Sequence, residues 1–241
     1  MESYGQYCPV SRAAEILGDR WSLLILRDMV VDGVTQFNDL SRGLPRLSRS
    51  LLARRLRKLE DSGVITHARR PAGQKGEYLL TPAGAALYPV IEALLGWGAT
   101  WAFGEPQMNE LDPVVLMWWI HRRLRHDHLP AAQVVVEFHF GEDPGRAYWL
   151  VLKGRDSSVC FTPPGFDTDV VIRTSLRDFY RVWLGHLTYD DACRQGLIRV
   201  QALPALERAL PGWFAWSSAA DTVRHVHAAR TAAPAAHPSR A

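Results

Sequence analysis

Residues 46–65 read RLSRSLLARRLRKLEDSGVI, and this stretch decides how the first part of the chain folds. Ser48 is placed to cap the start of a helix, and Gly63 is placed to end it. Apolar residues between them recur at i, i+4 and i+7, which puts them on one helix face. The face that such a helix would bury consists of Leu52, Leu56 and Leu59. The pattern therefore predicts an amphipathic helix over residues 48–61, followed by a strand.

Positive charge is concentrated in the same region. Residues 42–75 contain 10 Lys and Arg against 2 Asp and Glu, a local excess of +8, whereas the whole chain has a formal net charge of only +3. A local basic patch in a nearly neutral protein indicates a contact with nucleic acid. A solvated basic helix face is the ordinary alternative, and the charge pattern alone does not separate the two.

The segments that flank the basic helix predict a winged helix-turn-helix. A short helix capped by Thr35 and a turn at residues 43–45 precede it. Residues 66–70 and 77–80 are predicted strands joined by a basic tip, which is typical of a wing. We expect the helix to enter the major groove while the wing contacts phosphates. The predicted DNA contacts are Ser48, Arg49, Ser50, Arg54, Arg57, Lys58, Arg69, Arg70 and Lys75.

A further helix is predicted after the wing, where Thr81 acts as a cap and Pro82 occupies the first helical position. Its apolar stripe consists of Leu87, Ile91, Leu94, Trp97 and Trp101. Because the earlier helices would already close the domain core, this stripe is a candidate dimer surface. Packing of the stripe on its own domain is an equally supported alternative.

Five motifs follow one another along residues 8–103. They are CPV at 8–10, LGDRW at 17–21, FNDL at 37–40, LEDSGVI at 59–65 and YLLTPAG at 78–84. In these motifs and their order the segment resembles the HxlR-type winged-helix transcription regulators. The resemblance implies a homodimer that binds double-stranded DNA at a pseudo-palindromic operator, and a repressor is the expected role. Some relatives sense oxidants through a cysteine at the position of Cys8, which predicts a redox role for this residue. The alternative is that Cys8 is an unreactive, partly buried thiol.

The second half of the chain has a different pattern. Alternating apolar residues from Val134 to Phe140 predict a strand, and Ser175 and Asp178 form a capping box that opens a helix. With the strand at 170–172 and the run at 192–200, residues 131–216 resemble the sterol carrier protein type 2 domain. That resemblance implies an α+β domain that holds a lipid or another apolar ligand between its sheet and its helices.

An apolar small-molecule effector is therefore a predicted partner of the second half. The predicted effector contacts are Phe138, Phe140, Trp149, Phe179 and Trp183. Aromatic-lined clefts suit large, flat apolar molecules. Side chains of this kind more often form an ordinary core, however, and in that case the domain would reinforce dimerisation. Both interpretations stay open at this point.

The predicted fold class is α+β in four segments. They are a winged-helix DNA-binding and dimerisation domain at 1–104, a linker and connecting helix at 105–130, a sterol-carrier-like domain at 131–216, and a tail at 217–241 that is disordered at its end. The predicted function is a DNA-binding transcription regulator. The alternative is a lipid or small-molecule carrier with a vestigial DNA-binding domain.

Other classes of protein find little support. The chain has no nucleotide-binding or hydrolase motif, so we expect neither an enzyme nor a cofactor, and no catalytic residue is assigned. Its 3 cysteines are too widely spaced for a disulfide framework or a metal site. The longest apolar run, Val114 to Ile120, is too short to cross a membrane. A cytoplasmic location is the simplest expectation.

Overall fold

The structure is a computed structural model that describes residues 3–68, 76–141 and 145–232. The chain divides into two compact units, Met1–Leu94 and Leu95–Ala241. Each unit contains its own cluster of buried apolar side chains. The domain limits expected at residues 104, 130 and 216 stay predictions, because a division into two compact units does not test which segments fold independently.

The first unit is a winged helix-turn-helix. Its elements are α1 (Pro9–Leu17), α2 (Ser22–Val30), α3 (Phe37–Gly43), α4 (Arg49–Asp61), β1 (Ile65–Ala68), β2 (Glu77–Leu80), α5 (Pro82–Ala85) and the beginning of α6 (Tyr88–Trp101). The strands β1 and β2 pair antiparallel as the hairpin of the wing. Ser48 caps α4 as predicted, since its hydroxyl accepts a hydrogen bond from the backbone N–H of Leu51. The buried face of α4 is also the predicted one, because its leucines at 52, 56 and 59 are at most 1% exposed.

Two local predictions for the first unit are wrong. Thr35 does not cap α3, because Gln36 occupies the N-cap position, and the Thr35 carbonyl instead accepts a hydrogen bond of 2.8 Å from the backbone N–H of Tyr78 in β2. The single helix expected after Thr81 is broken into α5 and α6. The break lies next to a close approach of two backbones: a Cβ at Gly84 would stand 2.2 Å from the carbonyl oxygen of Val64.

The second unit has an α+β architecture. After the end of α6 it contains α7 (Pro113–Arg122), β3 (Val134–Phe140), β4 (Ala147–Leu152), β5 (Ser158–Cys160), β6 (Val170–Thr174), α8 (Leu176–Trp183), α9 (Tyr189–Arg194), β7 (Ile198–Ala202), α10 (Pro204–Ala209) and α11 (Ala220–Ala232). Five strands form one sheet in the order β5-β4-β3-β6-β7. The pair β3 and β6 is parallel, and the other pairs are antiparallel. Apolar side chains of α7 and α8 share the main core with one face of this sheet.

Capping groups fix the helices of the second unit where the sequence places them. The Asp112 carboxylate accepts hydrogen bonds from the first backbone N–H groups of α7, and Ser175 caps α8 by accepting one from Asp178. The helix α11 was not predicted, because apolar periodicity is weak after residue 217. The expected disorder of the tail concerns residues 233–241, which lie outside the described residues. None of the described helices combines the length and the apolar character that crossing a bilayer requires.

Candidate nucleic-acid interface

The exposed face of α4 carries two arginines that are available to a ligand. Ser50, Arg54 and Arg57 are all exposed, on the side of the helix opposite the buried leucines. Among the described residues, neither Arg54 nor Arg57 forms an ion pair or a hydrogen bond. An exposed guanidinium on such a helix can donate two hydrogen bonds to the edge of a guanine in the major groove.

Two other basic residues of α4 are used inside the first unit. Lys58 Nζ lies 2.8 Å from Oδ2 of Asp19, and the guanidinium of Arg55 pairs with the same oxygen. The hydrogen bond from Lys58, together with the two positive charges, holds the pKa of the Asp19 carboxyl below its usual value. Lys58 was predicted as a DNA contact, but the structure gives it this intramolecular partner. The role of Arg55 was missed, and the lone acid in LGDRW was the available signal.

The first residues of α4 hold it against α3. The hydroxyl of Ser48, which caps α4, also lies 3.2 Å from that of Ser50. Arg49 donates a hydrogen bond of 2.9 Å from Nη2 to the side-chain oxygen of Asn38, and its guanidinium lies 4.8 Å from the centre of the Phe37 ring. Arg49 therefore links α4 to α3, while Ser48 caps α4 itself, whatever the two residues contribute to DNA contact.

The wing is attached to the helix-turn-helix at its base. His67 of β1 stacks on Tyr78 of β2 with ring centres 4.5 Å apart, and its backbone N–H donates to the carboxylate of Glu60 in α4. The predicted contacts at the tip of the wing are Arg69, Arg70 and Lys75. All of them lie outside the described residues, so their role stays a prediction.

The predicted dimer stripe separates into two parts. Leu87 packs against the core of the first unit, and Ile91 belongs to that core with 5% exposure. Further along α6 the side chains of Leu94, Trp97 and Trp101 are 45%, 61% and 74% exposed. Only the later part of the stripe is therefore free to contact another molecule.

The predicted effector residues do not form one cluster. Four of them lie in the main core of the second unit: Phe138, Phe140, Phe179 and Trp183. None of these four is more than 5% exposed. Trp149 lies opposite Glu137 in the pairing of β3 with β4, which puts it on the other face of the sheet. A single cleft lined by all five side chains is therefore not present.

Cys8 occupies the N-cap position of α1 and is partly buried. The backbone N–H groups that begin the helix, that of Ser11 foremost, lower the pKa of its thiol. A redox role for this cysteine stays a prediction. Among the described residues, no three metal-binding side chains come together.

Comparison with known proteins identifies the first unit. Residues 16–106 match the HxlR-like helix-turn-helix family. An uncharacterized HTH-type transcriptional regulator of Methanothermobacter thermautotrophicus is 32% identical over 107 residues, which cover 44% of this chain and 81% of that protein. The chain belongs to the HxlR-like helix-turn-helix family.

Two further transcriptional regulators show a similar relationship. The uncharacterized HTH-type transcriptional regulator YdeP of Bacillus subtilis is 35% identical over 92 residues, which cover 38% of this chain and 71% of that protein. The reduced form of the transcriptional regulator YodB from B. subtilis is 29% identical, with a TM-score of 0.35, over 40% of this chain and 96% of that one.

The family membership confirms part of what the sequence predicts. The N-terminal region of about 105 residues is an HxlR-type winged helix-turn-helix, and the protein is a DNA-binding transcription regulator. Its relatives are named as transcriptional regulators rather than enzymes, as expected. The family match ends at residue 106, so the resemblance of the second half to sterol carrier domains stays a prediction.

Proposed function

We propose that this HxlR-type regulator is a repressor that binds a pseudo-palindromic operator as a homodimer. The observation that carries the proposal is the pair of exposed guanidinium groups, Arg54 and Arg57, which have no ion-pair partner among the described residues. The other face of the same helix is held by the buried leucines and by the ion pairs with Asp19. A helix that is held on one face and presents two exposed arginines on the other is suited to reading base edges, because the rest of the fold already fixes its position.

A second copy of the chain is the proposed partner for the exposed part of α6. Leu94, Trp97 and Trp101 stand at i, i+3 and i+7, so they share one helix face, and each is at least 45% exposed. Large apolar side chains that are contiguous and exposed mark interaction surfaces. A two-fold dimer would present two copies of α4 to successive turns of the DNA, which is why the operator should be pseudo-palindromic.

An effector-binding role of the second unit is a further part of the proposal, and the structure restricts its form. Because four of the five predicted aromatic residues fill the main core, an apolar effector would have to separate the elements that pack on that core. A ligand that binds one dimer geometry better than another would change operator affinity through thermodynamic linkage. Without such a ligand, the second unit would serve as a packing and dimerisation module.

Fluorescence anisotropy with labelled duplex tests the proposal directly. The probe is the DNA upstream of the protein's own gene, and a shuffled duplex of the same composition is the reference. We expect tighter binding to the upstream DNA than to the shuffled duplex, and loss of this preference in Arg54→Ala. In a separate transcription assay, adding the protein should reduce transcription from the promoter. Equal affinity for both duplexes would contradict operator recognition and would favour a carrier with a vestigial DNA-binding domain. Increased transcription would contradict the repressor role alone.

A further inference from the structure

The face of the five-stranded sheet that lies opposite the main core carries a row of basic side chains. His139 on β3 is the direct partner of Arg173 on β6, which in turn is the direct partner of Arg199 on β7. Directly paired residues on antiparallel strands have Cβ atoms about 4.5–5.5 Å apart, and like charges at such positions destabilise a sheet. The facing arginines therefore do not serve the stability of the fold, and such local conflicts are expected at functional sites.

The row borders a surface cavity of about 440 Å³. Gly141 and Gly196 also line this cavity, and neither has a side chain that would fill it. A Cβ at Gly196 would meet no atom within 4 Å, and one at Gly141 would only touch a backbone carbonyl oxygen at 3.7 Å. Small-molecule sites typically have volumes of roughly 300–1,000 Å³. The basic row therefore lies at an open cavity large enough for a compact ligand.

The carboxylate of Glu137, on the same sheet face, contacts the histidine of the row and not its arginines. Glu137 accepts hydrogen bonds from His139 Nε2 at 2.6 Å and from the Thr168 hydroxyl at 2.8 Å. Arg173 donates to the neutral side-chain oxygen of Gln201 at 3.2 Å. Within residues 3–68, 76–141 and 145–232, Arg199 has no ion-pair or hydrogen-bond partner. Two guanidinium groups thus border one cavity, and neither has an acidic partner in the described part of the chain.

We propose that this cavity binds a small molecule that carries an oxyanion, either a carboxylate or a phosphate, on a compact apolar body. Guanidinium groups bind both oxyanions through paired, charge-assisted hydrogen bonds. The side chain of Leu197, which also lines the cavity, supplies apolar contact surface for the rest of the ligand. The site is distinct from the aromatic cleft expected from the sequence. It does not rest on the proposed operator binding, because it can be measured without DNA.

Calorimetric titration of the full-length protein tests this proposal. The probes are benzoate, phenyl phosphate and, as the uncharged reference, benzamide, all at constant ionic strength. We expect saturable binding of benzoate or phenyl phosphate, with the better probe identifying the preferred oxyanion, and no binding of benzamide. Arg173→Gln and Arg199→Gln should each weaken binding at least tenfold. The matched control Arg208→Gln, an exposed arginine on α10, should bind as the wild type does.

Thermal melting separates ligand binding from a structural role. Without a probe, Arg199→Gln should melt no lower than the wild type, because the substitution removes a like-charge pair. When the anion that binds in the titration is added, the melting temperature should rise only for the wild type and Arg208→Gln. The proposal is overturned if neither anion binds the wild type, or if Arg199→Gln and Arg208→Gln bind the anion equally. It is also overturned if a short DNA duplex, but neither small anion, binds in a way that depends on Arg199.

Discussion

Lys58 Nζ lies 2.8 Å from Oδ2 of Asp19, so one basic residue of the exposed helix α4 is tied to the segment that precedes α2. Arg55 pairs with the same carboxylate. The side chains of Asp19, Arg55 and Lys58 are 17–30% exposed, which makes them a partly buried cluster rather than a loose surface ion pair. Two basic residues of α4, Arg55 and Lys58, therefore hold the helix in place, while Arg54 and Arg57 face the solvent.

The substitution Asp19→Asn should destabilise the first unit by about 1.5–3 kcal/mol near neutral pH, because it removes hydrogen bonds between charged groups. The pKa of the Asp19 carboxyl is lower in the folded protein than the value of about 4 that it has in the unfolded chain, so the ionised carboxylate stabilises the fold above about pH 4. This stabilisation is lost as the pH falls through the folded pKa. Urea denaturation of wild type and variant should therefore converge in acid. Asp39→Asn, at a carboxylate whose ion pair with Arg42 is more exposed to solvent, serves as control and should change stability by less than about 0.5 kcal/mol. A pH-independent difference for Asp19→Asn would contradict the assignment.

Arg54→Ala should weaken operator binding by about 1–3 kcal/mol if its guanidinium contacts a base, and Arg57→Ala should do the same. Both side chains are exposed, and neither substitution removes an ion pair or a hydrogen bond within the described residues, so the melting temperature should hardly change. Anisotropy with operator and shuffled duplex measures the loss, and Arg208→Ala controls for the change in charge. Unchanged affinity in both single variants would show that α4 is not the reading helix.

Lys75→Ala should act differently, because a lysine at the wing tip is expected to contact phosphates. Binding should weaken by a similar factor on operator and shuffled DNA, and the slope of log affinity against log salt should decrease by about 1. Titrations at several salt concentrations give this slope. A loss confined to the operator would instead indicate that Lys75 reads bases.

The parts of the structure that follow from the sequence are those set by local spacing. The leucines of α4 repeat with the helical period, and Ser48 and Gly63 mark the helix ends, so the element could be predicted from the residues alone. The ion pair of Asp19 with Arg55 joins residues 36 positions apart. The lone acid in LGDRW indicates that a basic partner exists, but no local pattern shows which one. Trp149 lies on the sheet face opposite the main core because it pairs with Glu137 across two strands, which is a property of register rather than composition.

Leu94→Glu should convert a dimer into a folded monomer, because it places a charge in the proposed interface while leaving the core of the first unit intact. Ile91→Glu is the informative contrast, since Ile91 is 5% exposed and a buried carboxylate there should unfold the unit. Sedimentation velocity measures the association state, and circular dichroism measures the folding of both variants. An unperturbed dimer for Leu94→Glu would place the interface elsewhere.

Tyr180 should make the stability of the second unit fall in alkali. Its hydroxyl donates a hydrogen bond of 3.0 Å to the backbone carbonyl of Asp112 and accepts one of 3.2 Å from the backbone N–H of the same residue. Burial raises the pKa of Tyr180 to about 12, while an unfolded tyrosine titrates near 10. The neutral hydroxyl therefore stabilises the fold fully below pH 10, and this stabilisation is lost as the pH rises towards 12.

The matched test is Tyr180→Phe, with the exposed Tyr88→Phe as control. At neutral pH the first substitution should cost about 1–2 kcal/mol, because the backbone groups of Asp112 lose their buried partner. Between pH 8 and 11, urea denaturation should show a steeper loss of stability for the wild type than for Tyr180→Phe. Burial also raises the pKa of Tyr189, but that residue is present in every variant, so the difference in slope belongs to Tyr180. Tyr88→Phe should follow the wild-type curve, and an equal slope in Tyr180→Phe and the wild type would show that this hydroxyl is not the titrating group.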